Sequence, residues 1–192
     1  MKNKLAAILV SLLLVACAAP DQRGSGGTQS LVTVDPSGRV TRARADRNQD
    51  DSMGRAVLGA LRQSDAPAFK GVSVLAWDGS VLLAGAVSKP EHRRRAEQLA
   101  GAISGVVTVF NDLVLDENPA APTFVPDINR EQRIYAGLLG HTGVTGAYVV
   151  RMVNGVVTLM GTSRSADDVA IATAFVGETD GVKWIVNRVS VR

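Results

Sequence analysis

The chain has 192 residues, 46% of them hydrophobic, and carries 21 Lys and Arg against 18 Asp and Glu, a net charge of +3. Lys2 and Lys4 belong to the leader described next, and the remainder is close to neutral, which excludes a strong electrostatic footprint for nucleic acid. A single cysteine, Cys17, excludes an intramolecular disulfide.

The chain opens MKNKLAAILVSLLLVACAAP. Two lysines precede an apolar run over residues 5–15 that is too short to span a bilayer as a helix, a job for about 20 residues. This is the layout of an export signal. Leu14-Val15-Ala16-Cys17 resembles a bacterial lipobox, in which the cysteine becomes the first mature residue and carries palmitate-type acyl chains. The alternative is an ordinary cleavage site using Ala16-Cys17-Ala18 as its A-x-A. The lone cysteine, placed where lipidation needs it, favours the lipobox. Acyl chains buried at roughly 0.8 kcal/mol per CH₂ make a firm anchor when more than one is attached. By resemblance to bacterial lipoproteins, Ala18 rather than Asp after the cysteine points to the outer membrane, with the folded part in the periplasm.

Residues 18–49 are rich in Gly, Ser and Arg and show no lasting period, so they read as a flexible tether. Acidic residues interspersed among Arg39, Arg42, Arg44 and Arg47 argue against a basic contact surface. LVTVDPSGRVTR is compatible with a small hairpin around Pro36-Ser37-Gly38.

Beyond the tether the sequence repeats. DGSVLLAG begins at Asp78 and NGVVTLMG at Asn154, 76 positions later. The register holds without a gap through Ala96 and Ala172, Gly105 and Gly181, Val106 and Val182, and Asn111 and Asn187. Two copies of a unit of about 65 residues account for this. Asp-Gly and Asn-Gly favour type I′ turns, because both central residues need positive φ. They predict hairpins joining strands 72–77 with 81–85, and 147–153 with 156–161. Ser88-Lys89-Pro90-Glu91 reads as a capping box with Pro in the first turn, and Ser165 with Asp168 repeats the spacing. Gly105 and Gly181 suit the left-handed position that ends a helix. Third strands follow over 106–115 and 182–191, and a helix precedes each hairpin, over 52–62 and 129–140.

The expected fold is α+β: two tandem αββαβ units, each a three-stranded sheet with two helices on one face, over residues 50–116 and 127–192. Residues 117–126, ENPAAPTFVP, form a Pro-rich linker read as an extended spacer between separate cores. Period-two counting puts Leu82, Ala84, Phe110 and Val114, and Val156, Met160, Trp184 and Val186, on the sheet faces opposite the helices. Faces this apolar are expected to be covered, by the other unit, by a second copy or by the tether.

The V-x-L-x-G hairpins, with the later G-V-x-x-V-x-N of GVVTVFN and GVKWIVN, resemble the BON domain. A lipobox followed by two such units resembles the dual-BON outer-membrane lipoproteins of the DolP type. The resemblance implies a non-enzymatic envelope protein that contacts anionic phospholipid and supports envelope integrity. It also implies that the contact lies on the first helix of the second unit, here DINREQRIYAGLLG. The residues there with suitable chemistry are Arg130, Arg133 and Tyr135, although the family's aromatic near the helix start is missing. A structural or assembly role, with the units binding envelope proteins or one another, is the alternative.

Other motifs carry little chemistry. His92 and His141 have no partners at metal-ligand spacing, no serine sits in a G-x-S-x-G elbow, and GSGG at residues 24–27 lacks the Lys-Ser/Thr of a phosphate loop. No catalytic residue, cofactor or metal is therefore expected. Asn111 and Asn187 share phase with core-facing positions and read as structural amides. The run His92-Arg93-Arg94-Arg95 reads as a solvated helix face.

The leader makes one prediction of its own. Intact mass of the membrane-extracted protein should show a lipid adduct on an N-terminal Cys17. A soluble product beginning at Ala19 would mean an ordinary exported protein instead.

Overall fold

The computed structural model describes residues 32–192, so Cys17, the leader and the first part of the tether lie outside the described residues. Strands β1 (Thr33–Val34) and β2 (Val40–Thr41) lead into helix α1 (Arg44–Asp65). Strands β3 (Val72–Trp77) and β4 (Ser80–Val87), helix α2 (Pro90–Gly101) and strand β5 (Thr108–Leu115) complete unit one. A single 3₁₀ turn (Pro122–Phe124) precedes unit two, which comprises α3 (Ile128–Gly140), β6 (Ala147–Val153), β7 (Val156–Ser163), α4 (Ala166–Gly177) and β8 (Trp184–Val191). Each three-stranded sheet has its second strand in the middle, antiparallel to the first and parallel to the third. This is the expected α+β architecture of two αββαβ units.

The repeated glycines have repeated jobs. Asp78 and Gly79 adopt φ of 47° and 80°, and Asn154 and Gly155 adopt 52° and 79°, as the type I′ turn requires. Gly85 and Gly161 close the hairpins. A Cβ at either would stand 2.0 Å from Gly71 O or 2.2 Å from Ala147 O, so the neighbouring backbone leaves no room for a side chain.

One face of each sheet carries the helices. In unit one, Met53, Val57 and Leu61 recur at helical spacing along α1 and meet Ala96 and Ala100 of α2 over Val81, Leu83 and Leu113. In unit two, Ile134 and Leu138 of α3 meet Ala172 and Val176 of α4 over Val157 and Leu159.

The opposite faces pack against each other. Trp77, Leu82, Ala84 and Ala86 of unit one form one buried cluster with Val153 and Met160 of unit two, and Phe124 of the linker closes it. Leu82 is completely buried there. The linker is thus docked rather than an extended spacer. Pro119 O also lies against Gly71, where a Cβ would come within 1.8 Å. The expected apolar face is correct at Leu82, Ala84, Phe110 and Met160 and wrong at its ends. Val114 is 49% exposed, Trp184 68% and Val156 36%, because these strand ends overhang the contact.

The segment read as a tether over 18–49 is also different from expectation where it is described. Asp35 caps a tight hairpin by accepting from the Ser37 and Arg39 amides at 2.9 and 3.1 Å. Val40 is buried and its N–H donates to Thr145 O of unit two at 2.6 Å. Arg42 stacks on Trp77 of unit one, 4.3 Å from the ring centroid. The helix expected over 52–62 therefore begins at Arg44, because its N-terminal turns have a docked strap to start from. Two smaller expectations also change. Lys89, not Ser88, is the N-cap of α2 and makes no side-chain cap, and Gly105 and Gly181 lie in the turns beyond the helices, which end at Gly101 and Gly177.

Leu82 and Trp184 test this division between seam and surface. Leu82→Ala should lower unfolding free energy by about 2–5 kcal/mol, and Trp184→Ser should change it by no more than about 0.5 kcal/mol, both read from urea denaturation.

Candidate functional site

Helix α3 begins at Asp127, whose carboxylate accepts the Arg130 N–H at 3.0 Å. The same carboxylate pairs with the Arg130 guanidinium at 2.5 Å. The Arg130 backbone bond, then its side-chain bond, hold the Asp127 carboxyl below its ordinary value. Arg130 Nε also donates to Asp180 O at 3.0 Å, so its charge is engaged at the surface by the loop before β8.

The inner side of α3 carries Glu131, Ile134 and Leu138. Glu131 Oε1 accepts the Met152 N–H at 2.8 Å and lies 3.4 Å from Arg151. Burial pushes this carboxyl up, with Arg151 opposing. The outer side presents Ile128, Tyr135 and Leu139, each 45–50% exposed, at the i, i+7, i+11 spacing of a single stripe. Arg133 is exposed on the other flank, where it lines an open depression with Asn129, Gln132 and Ala136.

The three residues singled out in the sequence are therefore not brought together. Arg133 and Tyr135 stand two positions apart, about 200° around the helix. Arg130 is occupied by Asp127 and Asp180. Ile128 and Leu139 were missed, although the i, i+7, i+11 spacing with Tyr135 was available as a signal.

A second polar centre lies inside unit two. Asp168 is 4% exposed. It follows the N-cap Ser165, whose Oγ accepts the Asp168 N–H at 3.1 Å as the sequence spacing implied. Its carboxylate accepts from Gly146 N at 3.0 Å, Thr145 Oγ1 at 3.2 Å, Ser163 Oγ at 2.6 Å, and also from Thr145 N and Tyr148 OH. Burial raises its proton affinity, but these donors outweigh burial and leave the carboxyl below its ordinary value. Tyr148 is held protonated far above the usual phenol range, first by burial and then by Asp168. Ser, Tyr and Asp in one cluster invite comparison with a nucleophile site, but Ser163 is wholly buried and already donates to Asp168, so no attacking oxygen faces solvent. The cluster ties β6, β7 and α4 together. The repeat comparison could have exposed it, since the counterparts of Asp168, Tyr148 and Ser163 in unit one are His92, Val72 and Val87.

The remaining candidates are structural. Asn111 Nδ2 donates to Arg93 O at 2.9 Å and to Glu97 Oε2 at 3.0 Å, binding β5 to α2. Asn187 Oδ1 accepts the Val189 N–H at 2.9 Å. His92 and His141 pack edge-on against Phe69 and Phe175. Among the described residues, no three His, Cys, Asp or Glu side chains could hold a metal ion, and no helix is long and apolar enough to cross a membrane.

The sequence profile of the BON domain matches residues 49–117 and 129–192, the two units seen in the fold. The chain belongs to the BON-domain family. BON domains are in general non-enzymatic and are commonly linked to membranes and phospholipid. A relative in Anaplasma centrale, described as an uncharacterized protein in the gshII 5′ region, is 29% identical over 126 residues, which span 65% of this chain and 83% of the relative. Among solved structures, two chains of CdsD, a structural protein of the type III secretion system of Chlamydia trachomatis, are similar at 19% and 16% identity. The first has a TM-score of 0.28, covering 74% of this chain and 63% of its own, and the second, a C-terminal domain, has 0.32, covering 84% and 89%.

Asp168 makes the second BON unit sensitive to acid. Its folded pKa is depressed, so its stabilisation is present above the unfolded value of about 4 and is lost as pH falls below that toward the folded value. Asp168→Asn should cost about 1–3 kcal/mol at pH 7 and flatten the decline of Tm between pH 5 and pH 3, about the range where an ordinary carboxyl titrates.

Proposed function

We propose that this protein is a non-enzymatic envelope lipoprotein, anchored at the outer membrane through acylated Cys17, whose second BON unit contacts anionic phospholipid and thereby supports envelope integrity. The exposed apolar stripe Ile128, Tyr135 and Leu139 on α3 carries this reading. A helix placed flat on a bilayer buries such a stripe at the headgroup boundary, and a tyrosine ring is suited to that depth. Arg133, about 160° around the helix from Tyr135 by the shorter arc, lies off the stripe and adds a longer-range attraction of at most about 1 kcal/mol to an anionic surface. Arg130 contributes by fixing the helix start through Asp127. Family membership supports the lipid class, and the anchor lets a weak contact suffice, because a tethered helix meets lipid at high effective concentration.

A second reading rests on Trp184. It is 68% exposed beside Val156 at the outer end of β8 and would suit an envelope protein partner, aromatics being enriched where proteins associate.

Co-sedimentation with vesicles separates the two. Residues 18–192 should pellet with anionic vesicles and less with neutral ones. Tyr135→Ala/Leu139→Ala should weaken binding roughly tenfold. Arg133→Ala should weaken it by at most roughly fivefold at low salt and less at moderate salt. Equal binding to neutral and anionic vesicles would defeat the anionic-phospholipid reading, and binding to neither would leave the Trp184 surface as the stronger lead.

A further inference from the structure

The repeat offset gives a way to read the seam between the units. Asp112 and Arg188 are counterparts, 76 positions apart, and they meet: Arg188 Nη2 donates to Asp112 Oδ1 at 3.0 Å. When two copies of a unit pack through the same face, a residue that touches its own counterpart lies on the two-fold axis relating them. The axis of this pseudo-dimer therefore passes between these two side chains. The remaining contacts agree. Trp77 Nε1 donates to Thr162 Oγ1 at 3.1 Å, and their counterparts, Val153 and Ala86, lie in the same buried cluster. Ala84 and its counterpart Met160 lie there too.

On a true two-fold axis the two residues are identical. Unit one paired with unit one of another copy would set Asp112 against Asp112, and unit two with unit two would set Arg188 against Arg188. Both side chains are partly buried, at 24% and 34% exposed, so solvent screens such repulsion incompletely. The other contacts would fail as well. Trp77 would face Ala86 and its buried N–H would lose its acceptor. The Arg188 guanidinium, now 4.7 Å from the Phe110 ring centroid, would face the counterpart Val186. In the other like pairing, a carboxylate would face the electron-rich ring of Phe110.

We infer that Asp112 and Arg188, supported by Trp77 and Thr162, form a recognition code at this axis that admits unlike BON units and rejects like ones. The partner that this surface fits is a unit of the opposite type. The docked linker then keeps the pairing within one chain, since Phe124 sits in the seam itself and holds the second unit at high effective concentration.

Single charge reversals reproduce the rejected pairings inside one chain. Arg188→Asp puts two carboxylates on the axis, as unit one with itself would. Asp112→Arg puts two guanidiniums there, as unit two with itself would. Thermal unfolding of residues 18–192 is compared for each reversal, for the truncations Asp112→Ala and Arg188→Ala, and for the double reversal Asp112→Arg/Arg188→Asp. Each reversal should melt about 2–4 °C below the corresponding truncation, and the double reversal should recover most of that loss. Reversals no worse than truncations would overturn the code. So would a double reversal that stays as unstable as the singles, since the two residues would then act separately and not as a pair.

Discussion

A three-stranded sheet with two helices on one side leaves its other side bare, and that constraint organises the whole molecule. Leu82, Ala84 and Phe110 cannot alternate with polar residues and also stay in water as a continuous face. A sheet needs a second layer on each apolar face. The chain supplies that layer by repeating itself, so the bare face of one unit covers the bare face of the other. Trp77, Leu82, Val153, Met160 and Phe124 then form a third core between the two that belong to the units. A unit of about 65 residues is near the lower limit for a lone core, and sharing a seam enlarges the apolar area that each unit withdraws from water.

The seam is apolar at its centre and wired at its margins. Arg42, from the strap before α1, pairs with Asp50 at 2.5 Å and reaches to 4.0 Å from Asp78, with all three side chains under a tenth exposed. Arg192, at the end of unit two, meets Asp78 from the other side at 2.9 Å. Burial raises the Asp50 carboxyl, and Arg42 with the Asp78 N–H opposes it. A buried ion cluster of this kind adds little net stability, since desolvation offsets its attraction. Its geometric demands are stricter than those of an apolar contact, and here it positions strap, unit one and the terminus of unit two against one another.

Function is then left to what the seam does not absorb. The sheet faces are spent on each other, and the polar centre at Asp168 is enclosed and saturated. The outer stripe of α3, Arg133 and the overhanging Trp184 remain accessible. This distribution suits a family whose members are commonly linked to membranes and not to catalysis.

The sequence by itself determined the local structure. Asp-Gly and Asn-Gly demand positive φ whatever surrounds them, helical spacing marks Met53, Val57 and Leu61, and a period of two marks the strands. The 76-residue offset doubled each of these signals, so the α+β units could be read without a structure. Other features depended on neighbours far away in the chain. Val40 is buried and bonded to Thr145 of unit two, the linker docks where Gly71 leaves room for Pro119, and Trp184 lies beyond the seam. Arg130 and Arg133 look interchangeable in sequence, yet Asp180, 50 positions away, engages only the first of them. Local preferences act over a few residues and are written there. Burial and pairing across the seam arise from the docking of two surfaces, and only the tertiary structure decides which parts of those surfaces meet.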